Sequence, residues 1–235
     1  MLGAVPAVNE VSPVRIWLIY AAVILSSYLW GSVCWGVVLS LSLKHEDIRL
    51  KDNPGLSGTV RQYGWPLGLT VGALDILKGY LVGVVLRRMA LPSWVIILAF
   101  AAVIIGHNWP AFFQFRGGGG LATTVGILLE QYPLSIAWGL PFAAAAGILW
   151  KLVPALKAKV HFSPFIAAVG AVPAVIWIVV NTTWYPNYIL VLGLALAVLL
   201  KGNQFHRQAQ RLRRLTAQVR ERYVQFRSRR TGGPR

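Results

Sequence analysis

The sequence predicts an all-α, polytopic integral membrane protein with about seven transmembrane helices, its N-terminus outside and its C-terminus cytoplasmic. Three observations predict it. Of 235 residues, 56% are hydrophobic and 13% charged, against about 25% charged in an ordinary soluble domain, so the charges are too few to cover a water-facing surface. The apolar residues fall in continuous runs and not in short alternating segments, which favours helices over a barrel. The charge is also polarised. Residues 201–235 hold eleven Lys and Arg against the acid Glu221, a net +10 of the chain's +16, and a basic segment directly after an apolar run belongs on the cytoplasmic side.

The first apolar run covers residues 16–43, longer than the roughly 20 residues that a crossing needs. Almost no positive charge precedes it, so it reads as a span and not as a cleaved signal peptide. A polar loop at 44–64 follows. The second run, 65–86, is interrupted only by Asp75 and Lys78 and is closed by Arg87 and Arg88. The third covers 91–105 and leads into a glycine-rich loop at 106–120. A short run at 121–129 ends at Glu130, and 133–150 is a fuller span. A basic connector at 151–161 precedes the last two runs, 165–180 and 188–200, which are split by the polar turn 181–187. Residues 1–200 thus form a transmembrane domain and residues 201–235 a basic cytoplasmic tail. The loops at 44–64, 106–120 and 151–163 share the tail's side, while Arg87 and Arg88 fall outside as the exception to the charge rule.

The composition assigns a multi-pass position in a cell membrane. The tail's charge suits anionic headgroups, and no nucleic-acid partner is expected. The one cysteine, Cys34, lies in an apolar run and has no intrachain partner, so it reads as a small buried hydrophobe. No metal-ligand spacing and no cofactor motif stand out, so neither a metal nor a cofactor is expected.

Polar residues gather in the cytoplasmic loops and at the helix ends beside them. Ser32 lies well inside the first run, where a serine either packs helices or serves a site. Asp75 and Lys78 are three apart, hence on one helical face. Each charge is costly in lipid, so they should pair toward the bundle interior, either to fix packing or to shape a polar site. The loop Gly106-His107-Asn108-Trp109-Pro110 continues through Arg116 into Gly117, Gly118, Gly119 and Gly120. Successive glycines let backbone N–H groups converge on an anion, and the helix starting near Leu121 adds its positive end. That reading competes with a flexible linker. The loop at 47–61 offers Arg49, Lys51 and Arg61 with Asn53, Ser57 and Thr59. Alone it is a basic cytoplasmic loop; beside the glycine loop it can close over the same anion.

In combination these residues resemble the bacterial acyl-phosphate-dependent glycerol-3-phosphate acyltransferases, a family of small integral membrane enzymes. Ser27-Tyr28-Leu29-Trp30-Gly31-Ser32 with Gly36, then Asp47-Ile48-Arg49, Asn53-Pro54-Gly55 with Arg61 and Gly64, and Asp75-Ile76-Leu77-Lys78-Gly79 follow the family's blocks in order. Gly106-His107-Asn108-Trp109-Pro110 and Phe115-Arg116-Gly117-Gly118-Gly119-Gly120-Leu121-Ala122-Thr123 complete them. The pattern departs at Gly119, where the family has lysine. It departs also at Leu50, Lys51 and Asp52 in place of Gly-Ser-Gly, at Ser57-Gly58 in place of Thr-Asn, and at Ala209 in place of asparagine.

The resemblance implies transfer of an acyl group from acyl phosphate to the 1-hydroxyl of glycerol 3-phosphate, giving lysophosphatidic acid for phospholipid synthesis. It implies Ser32, His107, Asp75 and Lys78 at the reaction centre. Arg49, Asn53, Ser57, Arg116, Gly117, Gly118 and Gly120 would hold phosphate. The partners are then acyl phosphate, glycerol 3-phosphate and membrane lipids, around a monomer. Two other readings stand beside it: a catalytically altered relative that binds lipid or assists assembly, and a small-anion transporter.

Overall fold

The computed structural model describes residues 12–159 and 162–182. The apolar run at 188–200, the basic tail and residues 1–11 lie outside the described residues. Among the described residues all regular structure is helical: α1 (Pro13–Gly31), α2 (Trp35–Lys44), α3 (Leu56–Tyr63), α4 (Trp65–Arg88), α5 (Ser93–Asn108), α6 (Leu121–Gln131), α7 (Pro133–Leu152), α8 (Pro154–Lys159) and α9 (Phe162–Asn181). Four segments, Pro13–Lys44, Trp65–Arg88, Ser93–Phe113 and Pro133–Leu152, are long and apolar enough to cross a membrane. Large apolar side chains such as Trp17, Leu140 and Ile148 are exposed along them, as a lipid-facing surface requires.

The run at 16–43 is not one continuous helix. It leaves helical geometry after Gly31, and Cys34 is extended at φ −90°, ψ 96° before α2 begins. No proline causes the break. The carbonyls it frees, Gly31 O and Val33 O, are taken by the Lys78 ammonium on α4, at 3.2 and 2.9 Å. Backbone carbonyls released in an apolar interior need such a donor, so the break and the buried lysine belong together.

The loop at 44–64 is also more regular than its polar composition suggests. Ile48–Leu50 form a 3-10 turn and α3 follows. Asp47 accepts from the Arg49 N–H at 2.9 Å and Asn53 from the Gly55 N–H at 3.0 Å, each side chain standing in for a missing backbone partner. α3 then lies on the start of α4, where Leu56 and Val60 fill the space over Gly72 and Gly68. Gly64 turns the chain between them at φ 87°, a conformation that suits glycine. Pro66 costs α4 nothing, because a first-turn N–H has no intrahelical acceptor.

Small residues let the helices approach closely. A Cβ at Gly31 would stand 2.2 Å from Val103 O, joining α1 to α5, and one at Gly126 would stand 1.9 Å from Ile76 O, joining α6 to α4. Val82, Leu86, Phe100, Val103, Ile104 and Ile127 fill the interior between α4, α5 and α6. α9 packs on α7 through Gly139 and Gly170. Trp17, Tyr20 and Trp94 cluster with centroids 5.4 to 5.9 Å apart at the starts of α1 and α5. That end lies away from Gly31 and His107, and amphipathic rings there suit a headgroup layer.

Candidate functional site

The break between α1 and α2, the middle of α4 and the last turn of α5 converge on Lys78. Besides its two carbonyls, Lys78 Nζ lies 3.0 Å from His107 Nδ1 and 3.2 Å from Asp75 Oδ1. Asp75 Oδ1 is 3.5 Å from the same ring nitrogen. Both members of the Asp75–Lys78 pair are 1% exposed. Charges so deeply buried are tolerated only when paired and hydrogen-bonded, and here the helix break and an imidazole supply the additional partners. Trp30 clasps the arrangement from above, its Nε1–H donating to Lys78 O at 3.1 Å.

His107 is held from the other side by the glycine strand. Gly118 N–H donates to His107 O at 3.1 Å and Gly117 N–H to Asn108 O at 3.2 Å. A Cβ at Gly118 would stand 2.2 Å from His107 Nε2, so only glycine fits against that edge of the ring. These bonds use the Gly117 and Gly118 amides within the chain. Gly120, at φ 78°, turns directly into α6, and Gly119 is partly exposed with an ordinary φ.

Ser32 is fully buried. Its hydroxyl donates to Tyr28 O at 2.9 Å and accepts from the Ala111 N–H at 3.2 Å. Tyr28 Oη donates to Trp109 O at 3.0 Å. Ser32 and Tyr28 thereby tie the end of α1 to the His107–Gly120 loop.

Arg49 stands at the loop's outer edge. Its guanidinium grips Asp47, Nε to Oδ1 at 2.9 Å and Nη2 to Oδ2 at 2.6 Å, while Nη1 donates to Phe113 O. Phe113 also lies under the guanidinium, 5.6 Å from its carbon. The hydrogen bonds from Arg49 hold the Asp47 carboxyl below the usual carboxylate range, against a modest desolvation, and exposed Arg116 contributes in the same direction. Half-burial pushes Asp52 up, but the Arg61 ion pair, Nη2 to Oδ1 at 2.6 Å, together with hydrogen bonds from the Asn53 N–H and Gln62, leaves Asp52 also lowered. Asn53 lies in the next turn and Ser57 in the first turn of α3; the turn is seated on α2, where a Cβ at Gly36 would stand 1.7 Å from Pro54 O.

The structure thus brings Ser32, Asp75, Lys78, His107 and Gly118 into one assembly and sets Arg49 and Arg116 beside the same loop. Four contributors were not legible as such: the Gly31 and Val33 carbonyls, the carboxylate of Asp47, and Thr123. The Thr123 hydroxyl, two residues into α6, is buried without a hydrogen-bond partner among the described residues. Its place after the glycines was the signal for it; the carbonyls left none. Among the described residues no group of three or more His, Cys, Asp and Glu is placed to hold a metal ion.

Comparison with known proteins bears on this assembly. A family profile described as glycerol-3-phosphate acyltransferase matches residues 21–216. The glycerol-3-phosphate acyltransferase of Halalkalibacterium halodurans is 40% identical over 123 residues, 51% of this chain and 58% of that protein. Glycerol-3-phosphate acyltransferase 2 of Deinococcus radiodurans is 40% identical over 156 residues, 65% of this chain and 78% of that one. The match therefore spans less than two thirds of the first relative's length and more than two thirds of the second's. The crystal structure of PlsY (YgiH), an integral membrane glycerol 3-phosphate acyltransferase, in its glycerol 3-phosphate form, superposes with a TM-score of 0.66 at 23% identity, covering 85% of this chain and 93% of that one.

Proposed function

The chain belongs to the glycerol-3-phosphate acyltransferase family, and on that premise we propose that it moves a fatty acyl group from acyl phosphate to glycerol 3-phosphate. The 1-hydroxyl oxygen attacks the acyl carbonyl carbon. The bond from that carbon to phosphate oxygen breaks, and inorganic phosphate leaves with the electron pair. The hydroxyl proton passes to a phosphate oxygen, and lysophosphatidic acid remains. The donor is already activated, so positioning and charge neutralisation supply the catalysis.

The observation that carries this reading is the juxtaposition of His107 with Gly118, backed by Lys78 and Asp75 and flanked by Arg49. In this assignment His107 contacts the reacting groups, while Ser32, Asp75 and Lys78 hold its loop and ring. Arg49 and Arg116 bind phosphate, with Asn53 and Ser57 closing from the neighbouring turn. Gly117 and Gly118 shape the floor. The amides of Gly119 and Gly120, at the positive end of α6, face the anion. The wider arrangement is seven crossings in a cell membrane, with this loop cluster and the basic tail on the cytoplasmic side and the protein acting as a monomer.

Purified protein in liposomes, given acyl phosphate and labelled glycerol 3-phosphate, is expected to form labelled lysophosphatidic acid and one inorganic phosphate per acyl group moved. No product, with glycerol 3-phosphate still bound, would overturn the proposal, as would substrate-dependent flux across the liposome without acylation.

A further inference from the structure

We propose that Lys78 fixes the tautomer of His107, placing the ring proton on Nε2 and making that edge a hydrogen-bond donor toward the glycine strand. The distances around Nζ carry the assignment. Lys78 Nζ has four acceptors around it: Val33 O at 2.9 Å, His107 Nδ1 at 3.0 Å, Gly31 O at 3.2 Å and Asp75 Oδ1 at 3.2 Å. The two carbonyls and the carboxylate can only accept, and a lysine ammonium donates three hydrogen bonds and accepts none. Its contact with Nδ1 is therefore a hydrogen bond only when Nδ1 carries a lone pair.

The competing arrangement has His107 donating from Nδ1 to Asp75, with Nε2 left as a base. Two distances disfavour it. Asp75 Oδ1 is 3.5 Å from Nδ1, beyond the usual 2.7–3.2 Å for a nitrogen donor. A proton on Nδ1 would also be set against the Lys78 ammonium, which at 3.0 Å is nearer than the carboxylate. Doubly protonated imidazole meets the same obstacle. With Nδ1 accepting, a neutral ring carries its proton on Nε2, the nitrogen that a Cβ at Gly118 would meet at 2.2 Å. Lys78 is then a positioning residue that acts through His107. Resting on the acyltransferase reading, the consequence is that His107 donates to a phosphate or carbonyl oxygen and does not take the hydroxyl proton.

The test reads the ring nitrogens directly. Protein labelled with nitrogen-15 in its histidine side chains is examined by NMR near neutral pH without substrate, and the His107 signals are those absent from His107→Gln. One pyrrole-type signal at Nε2 and one pyridine-type signal at Nδ1 are expected. In Lys78→Met the pyrrole-type signal should move to Nδ1, now donating to Asp75, or both nitrogens should protonate. A wild-type ring protonated at Nδ1, singly or doubly, would overturn the proposal, and so would an unchanged Nε2–H ring in folded Lys78→Met. The wild-type spectrum decides even where the variant fails to fold. Because no turnover is measured, the result stands apart from whether the protein proves to be an acyltransferase.

Discussion

Helix α4 carries two charge pairs, and they differ in almost every respect. Asp75 and Lys78, at mid-helix, are both 1% exposed, and the lysine is shared among a helix break, a carboxylate and an imidazole. Near the C-terminal end, Arg87 reaches Glu130 on α6 at 2.6 Å, but Arg87 is 62% exposed and only Glu130 is buried. The second pair is a clamp between two helix ends, set where Gly83 lets the Glu130 carboxylate approach α4. The first supports His107, the side chain that the proposed function sets against the reacting groups. The difference teaches that a buried charge within an apolar helix is not by itself a site. What marks one is a charge whose partners include backbone carbonyls freed from a helix and a group able to do chemistry.

The largest expected effect breaks that contrast at its strong end. Lys78→Met leaves Asp75 buried without its cation and should cost about 3–5 kcal/mol of stability, read as a lowered melting temperature, together with turnover. Adding Asp75→Leu removes the stranded charge. It should return most of the stability while turnover stays lost, which separates folding from chemistry.

Next is Gly118→Ala. The added methyl displaces the His107 ring or the strand and should lower kcat/KM about 100-fold, the order expected when one oriented donor is misplaced. Gly119→Ala, one residue along at a partly exposed position of ordinary φ, should change kcat/KM by about threefold at most. At the other end of α4, Arg87→Ala should cost about 1–3 kcal/mol, because the Glu130 carboxylate loses its ion pair in a buried position, with kcat unchanged. A loss of kcat there would erase the distinction between the two pairs.

The smallest effect concerns the edge of the site. Arg49 depresses the Asp47 pKa. A depressed carboxylate contributes stability that is fully present above its unfolded value and is lost as pH falls through its folded one. Acidification should therefore loosen the Asp47–Arg49 grip, raising KM for glycerol 3-phosphate at acid pH. Asp47→Asn should raise KM at neutral pH and flatten that dependence.

Much of this was legible in the chain. Asp75 and Lys78 stand out because charges in an apolar run are conspicuous, and their three-residue spacing fixes a shared face. The order of blocks from Ser27 to Thr123 pointed to the family. The break at 32–34 was not legible, because no local proline marks it and the group that satisfies its freed carbonyls, Lys78, lies more than forty residues away in sequence. For the same reason the loop at 44–64 concealed α3: its residues gain their helix by lying over Gly68 and Gly72 of α4. The glycine run suggested converging amides at Gly117, Gly118 and Gly120, whereas the Gly117 and Gly118 amides return to the end of α5. Composition identifies glycines but not the direction in which their N–H groups point.

The central claim is that chemistry resides at the His107–Lys78 assembly and mechanical support at the Arg87–Glu130 clamp. Its most direct test is acyl-phosphate-dependent lysophosphatidic acid formation by His107→Ala and Arg87→Ala side by side, each with its melting temperature. The account predicts a drop of about 100- to 1000-fold in kcat for His107→Ala with its fold retained, and a lowered melting temperature with kcat intact for Arg87→Ala. Turnover by His107→Ala near the unsubstituted rate would contradict it.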